Sequence, residues 1–205
     1  MKIICVDTPP AFYNKETLNP LIEKEPAIFL KTDSSILKDG KPFFVPDFSS
    51  EIYYEMRLVV KIDRLGKNIA TKFAHRYYNE ITVGIDFTAI DLLRALQFNG
   101  MPWDISKTFD YSAVVGKYVS LEEIKQSINQ VPFHLNVNGT TTQEGDTSDM
   151  SFKVDEIIAY VSRFFTLKTG DLIYLEPVAK AAKANIHDHL EGYIGDRKLL
   201  DFLIK

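Results

Sequence analysis

The chain holds a single cysteine, Cys5, in 205 residues. An internal disulfide is therefore excluded, and a lone thiol inside the apolar run Ile3, Ile4, Cys5, Val6 reads as a buried, inert side chain. A basic excess is missing as well: 24 Lys and Arg stand against 28 Asp and Glu, a formal charge of -4. Surfaces that bind nucleic acid usually carry the opposite balance. No apolar run approaches the ~20 residues that span a bilayer. After Met1 and Lys2 only four apolar residues precede Asp7, too few for a secretory leader. These absences predict a cytoplasmic protein with neither nucleic acid nor a membrane as partner. Walker A, Gly-x-Gly-x-x-Gly, Cys-x-x-Cys and Gly-x-Ser-x-Gly motifs are absent too, which removes the commonest phosphate, dinucleotide, thiol and serine-nucleophile chemistries.

What is present is an ordinary globular composition, 45% hydrophobic and 25% charged, enough for one domain with a real core. Residues 1–26 are the least regular, with Pro9, Pro10, Pro20 and Pro26 interrupting any helix or central strand. They are expected to form an irregular N-terminal segment on a main domain of residues 27–205. Short β-like runs follow at 27–31, 43–45 and 56–62. Residues 68–79 and 88–97 read as helices, and Ser120 to Glu123 has capping-box spacing. Asn138-Gly139 and Gly195-Asp196 each sit between two strand-like runs and predict hairpins. Residues 154–165 carry a helical apolar stripe, and 172–175 read as a strand. Many short strands with few helices predict an α+β, mostly β domain.

Few residues stand out chemically. His187 and His189 would share a face if their segment were extended, although a solvent-facing loop pair is the simpler reading. His75 reads as a surface residue. Glu55 and Arg57 lie two apart in a strand and so face the same way. Asp86 follows an apolar run and precedes Thr88, a position suited either to a ligand or to the cap of the next helix.

The segment order resembles the fumarylacetoacetate hydrolase family over nearly the whole chain. The resemblance rests on AIFLKTDSSIL at 27–37, IYYEMRLVVKIDRLGKNI at 52–69, VGIDFTAIDL at 83–92, NGMPWDISKTFDYSAVVG at 99–116, LNVNGTTTQEGDTSDMSF at 135–152 and FFTLKTGDLIY at 164–174. It implies a mixed β-roll with short capping helices, usually a homodimer. It also implies a site where Mg²⁺ or Mn²⁺ chelates a 2-oxo or 1,3-dicarbonyl acid for hydrolysis, isomerisation or decarboxylation. Residue by residue, the family's metal ligands fall on Glu55 and Asp86, but its second glutamate is Arg57. The family lysine is kept as Lys107, followed by Phe109 and Asp110 at pocket positions. A family histidine becomes Tyr53, and Ile90 replaces the arginine before Asp91. The N-terminal catalytic segment falls on Asp7, Thr8, Pro9, Pro10 and Tyr13. The glycine-rich loop falls on residues 175–182, which contain no glycine, and residues 181–184 could continue a short helix.

Arg57 is the decisive departure. Two unit charges ~4 Å apart repel by about 4 kcal/mol at an effective dielectric of 20, roughly a thousandfold in ion affinity. A guanidinium can instead pair with Glu55 and Asp86 in the ion's place. Three readings follow: a catalytically impaired homologue, an enzyme with metal-free chemistry centred on Lys107, and a binding protein for a small organic acid. The last needs Arg57 and Lys107 exposed in a cleft.

Overall fold

The computed structural model describes residues 1–7, 25–38 and 40–205. In chain order the strands are β1 (Ile3–Asp7), β2 (Ala27–Lys31), β3 (Ile36–Leu37), β4 (Ile52–Ile62), β5 (Tyr78–Ala89), β6 (Ala113–Val115) and β7 (Val119–Ser120). They continue with β8 (Pro132–Val137), β9 (Thr140–Asp146), β10 (Leu172–Tyr174), β11 (Ala182–Lys183), β12 (His189–Ile194) and β13 (Arg197–Leu203). Four helices, α1 (Thr71–Ala74), α2 (Ile90–Phe98), α3 (Leu121–Ile124) and α4 (Val154–Phe164), are spaced between them. The mostly-β class is as expected.

One sheet runs β2-β1-β10-β4-β5-β6-β3, with β11 against β4 and β7 against β5; the other runs β13-β12-β8-β9. The first is mixed, since β1 lies parallel to β10 and β3 parallel to β6. Its centre is the long antiparallel pair β4–β5, whose register sets Glu55 opposite Asp86 and Arg57 opposite Gly84. Alternation then divides each strand between two faces. Ile4, Val6, Met56, Leu58, Ile85 and Phe87 enter the main core, which also takes Ile157, Ile158 and Val161 of α4. Ile3, Cys5, Phe29, Val59 and Tyr174 build a smaller apolar cluster on the opposite face. Glu55, Arg57 and Asp7 share the phase of that second face. Gly84 is required there, because a Cβ would lie 2.7 Å from both the Tyr174 ring and Val59.

The hairpins form where the turn dipeptides predicted them. Asn138 and Gly139 both adopt positive φ (53° and 79°), the conformation these two residues tolerate best. Ser120 caps α3 by accepting from the Glu123 amide. Two expectations are corrected. Residues 68–79 are not one helix: only Thr71–Ala74 is helical, and Tyr78 opens β5 with β-branched residues behind it. Residues 181–184 do not extend a helix, because Ala182 and Lys183 pair with Tyr54 and Tyr53 on β4. Within residues 1–26, Ile3–Asp7 is a buried inner strand; residues 8–24, including Thr8, Pro9, Pro10 and Tyr13, lie outside the described residues.

Candidate functional site

The charged residues on the second face converge on one guanidinium. Arg57 is fully buried, and its Nη2 lies 2.6 Å from Asp7 Oδ1, 2.8 Å from Glu55 Oε2 and 3.0 Å from Asp86 Oδ2. Its Nη1 donates to the carbonyls of Val6 (2.7 Å) and Leu175 (3.3 Å). One side chain thus joins β1, β4, β5 and the end of β10. Strand alternation put Glu55 and Arg57 on one face; the contact of Arg57 with Asp86 is the one expected where the resemblance sets Arg57 in the place of an ion. Asp7 is an addition.

A second buried cation completes the cluster. Lys31, at the end of β2, places Nζ 2.7 Å from Asp86 Oδ1 and donates to Phe87 O, Ser112 O and Ser112 Oγ at 3.0–3.1 Å. Asp86 is thus held at short distance by two buried cations, Lys31 at 2.7 Å and Arg57 at 3.0 Å. Burial alone would raise its pKa, yet Lys31, Lys107 and Arg57 outweigh burial and hold it at about 2. Burial pushes Arg57 down, but Asp7, Asp86 and Glu55 more than reverse this, so it stays charged. For Lys31 burial wins over its pairing with Asp86 and lowers the ammonium pKa. Cys5 beneath the cluster is pushed up to about 12, by burial first and then by Asp86, which makes it the inert thiol expected.

Lys107 follows a short 3-10 turn (Asp104–Ser106), its amide bonded to Asp104 O. Its Nζ lies 3.9 Å from both Asp7 and Asp86 and 4.3 Å from the Phe29 ring centroid, with 12% side-chain exposure. It makes no side-chain hydrogen bond among the described residues and is the most open of the three cations. Phe109 packs edge-on against Phe48 and lies under Lys31. Asp110 is exposed and outside the cluster. Asp86 caps nothing: β5 continues to Ala89, and Asp91 instead binds Ser49, Ser50 and the Leu92 amide. His187 and His189 do not share a strand face, since His187 has a positive φ of 78° and β12 begins at His189. His189 pairs with Asp201 on the other sheet, and His75 is exposed.

Three carboxylates therefore face three cations. The acids converge on Arg57 Nη2 itself, and their oxygens do not all come within 4.8 Å of one another as the ligands of one ion would. An ion ~4 Å from that guanidinium would be repelled by roughly 8 kcal/mol at an effective dielectric of 20. Mg²⁺ and Mn²⁺ need free hard oxygens, and the residues present do not fit either. Lys31 escaped sequence reasoning, although it had a local signal, a lysine in the same strand phase as Phe29. The resemblance placed Asp7 in the N-terminal catalytic segment, but its pairing with Arg57 had no local signal, because the long-range pairing of β1 with β10 brings it to β4.

Similarity to known proteins agrees with this architecture. The fumarylacetoacetate (FAA) hydrolase C-terminal family profile matches residues 4–175. A mitochondrial oxaloacetate tautomerase of Mus musculus is 30% identical over 203 residues, covering 99% of this chain and 91% of that protein. A mitochondrial oxaloacetate decarboxylase of Dictyostelium discoideum is 35% identical over 173 residues, 84% of this chain and 78% of that protein. Fumarylpyruvate hydrolase from Pseudomonas aeruginosa, solved in complex with Mn²⁺ and pyruvate, superposes with a TM-score of 0.84 at 25% identity, covering 100% of this chain and 89% of that one. The fold, the profile and these relatives agree: this chain belongs to the fumarylacetoacetate hydrolase family.

Proposed function

We propose that this chain is a catalytically impaired member of its family, one that keeps the scaffold of metal-dependent oxo-acid enzymes without their metal chemistry. The observation that carries the reading is the convergence of Asp7, Glu55 and Asp86 on the buried Arg57. A divalent ion in such a site would polarise the oxo-acid oxygens and stabilise an enolate. Here the three acids are neutralised by the chain's own cations, and no permanent charge is left to bind an ion. The glycine-free segment after β10 points the same way: part of it, Ala182–Lys183, is committed to the edge of β4.

A second reading is metal-free chemistry at Lys107, favoured by its partial exposure and by its lack of a side-chain hydrogen bond among the described residues. A role as an organic-acid sensor gains less support, because Arg57 is sealed and the open groups beside Lys107 are the acids Asp7 and Glu55, which repel an anion. A homodimer stays part of the proposal, supported by the exposed apolar residues Phe98, Met101, Ile105 and Tyr111. Sedimentation would show it as a doubled mass.

Oxaloacetate turnover tests the main reading. Tautomerisation and decarboxylation are followed with added Mn²⁺ and again with chelator. The expected result is background rate in both. Turnover that needs Mn²⁺ would refute impairment, and turnover that resists chelator but vanishes in Lys107→Met would select the second reading.

A further inference from the structure

We infer that Arg57 is a built-in structural cation whose removal in favour of a carboxylate would make the stability of this fold depend on a divalent metal. The inference deepens the reading of the same site, and it concerns folding rather than turnover.

The guanidinium has five partners. Three are carboxylates on β1, β4 and β5; two are carbonyls, at Val6 on β1 and at Leu175 just past β10. Those strands lie side by side in the order β1-β10-β4-β5, so Arg57 pins four neighbours from one face. Asp86, fully buried, keeps Lys31 at 2.7 Å and Lys107 at 3.9 Å as its other cations among the described residues. Asp7 and Glu55 are 31% and 23% exposed and rely on Arg57 for the inner ends of their carboxylates. Three oxygen donors of the kind a hard cation takes are therefore present, spread around the Arg57 guanidinium rather than drawn in to the spacing of one ion. What excludes the ion is the charge of that guanidinium. Among the described residues, the cluster with the spacing of metal ligands is His189, Glu191 and Asp201, partly exposed on the second sheet.

Replacing Arg57 by glutamate removes the repulsion and adds a fourth carboxylate, so the acids would repel one another until a cation entered. Replacing it by glutamine removes the charge while keeping a polar side chain. Melting curves of the wild-type chain, Arg57→Glu and Arg57→Gln are recorded in chelator and in Mn²⁺, with both variants expressed in Mn²⁺ so that a fold needing the ion can form. The wild-type midpoint should not respond to Mn²⁺. Arg57→Glu should melt earliest in chelator and recover with Mn²⁺, its affinity gaining up to about a millionfold over wild type. Arg57→Gln should gain less, and Asp86→Asn placed in Arg57→Glu should abolish the response. A wild-type midpoint raised by Mn²⁺, or no Mn²⁺ response in either variant, would overturn the inference. Failure here leaves the oxaloacetate result untouched, since that assay reads the wild-type chain alone.

Discussion

Each of the two sheets carries a basic side chain gripped by acids, and the two clusters differ chiefly in burial. On the first sheet Arg57 meets Asp7, Glu55 and Asp86 with its side chain fully buried. On the second, Lys198 meets Glu191 at 2.9 Å and Asp201 at 2.7 Å while 42% of its side chain is in solvent. The distances are alike, so distance does not rank the two. Water solvates the Lys198 group whether or not its partners are there, and exposed pairs contribute little. Arg57 has no such alternative. Removing it strands three carboxylates, one of them wholly buried, which is the situation in which loss of a partner is most damaging.

The largest expected effect is therefore at the buried cluster. Arg57→Met should lower unfolding free energy by about 3–5 kcal/mol, read from urea midpoints at neutral pH. A loss below about 1 kcal/mol would mean that the acids relax toward water and that burial does not separate the two clusters.

Acid titration sharpens the same contrast. Asp86 is held near a pKa of about 2 in the fold against an ordinary 3.8. Its folded value is depressed, so its contribution is fully present above about pH 4 and is lost as pH falls through about 2. The size is about 2 kcal/mol. Melting midpoints between pH 5 and pH 2 should fall through this window in the wild-type chain, and Asp86→Asn should flatten the fall.

Lys107 comes next. At 3.9 Å from its acids and without a hydrogen bond, it is expected to contribute about 1 kcal/mol or less to stability, and Lys107→Met should fold. A loss as large as that of Arg57→Met would show that it closes the cluster rather than lying over it. The smallest effect belongs to Lys198→Met, which should leave the midpoint within experimental scatter. A clear drop there would break the comparison from the other side.

How much of this was legible in the sequence follows the range of the interactions. Turn chemistry acts within a few residues, so Asn138-Gly139 and Gly195-Asp196 mark their hairpins directly. The two-residue period places Glu55 and Arg57 on one face, and the register with β5 then supplies Asp86. Residues 68–79 misled because Ile69, Phe73, Ala74 and Tyr77 have helical spacing, while the strand that takes over at Tyr78 is stabilised by pairing with β4, sixteen or more residues earlier. Asp7 and Lys31 reach the site only through the order β2-β1-β10-β4. That order depends on a parallel pairing of the first strand with the tenth, and no local pattern encodes it. The departures from the family pattern were visible at once, but that Arg57 gathers three acids rather than two needed the assembled sheet.

The most direct test of the central claim is a calorimetric titration of the metal-stripped wild-type chain with Mn²⁺ at neutral pH. With Arg57 already neutralising Asp7, Glu55 and Asp86, no binding heat should appear up to millimolar metal. Micromolar binding that disappears in Asp86→Ala would show that the guanidinium moves aside and that the metal site of the family survives in this chain.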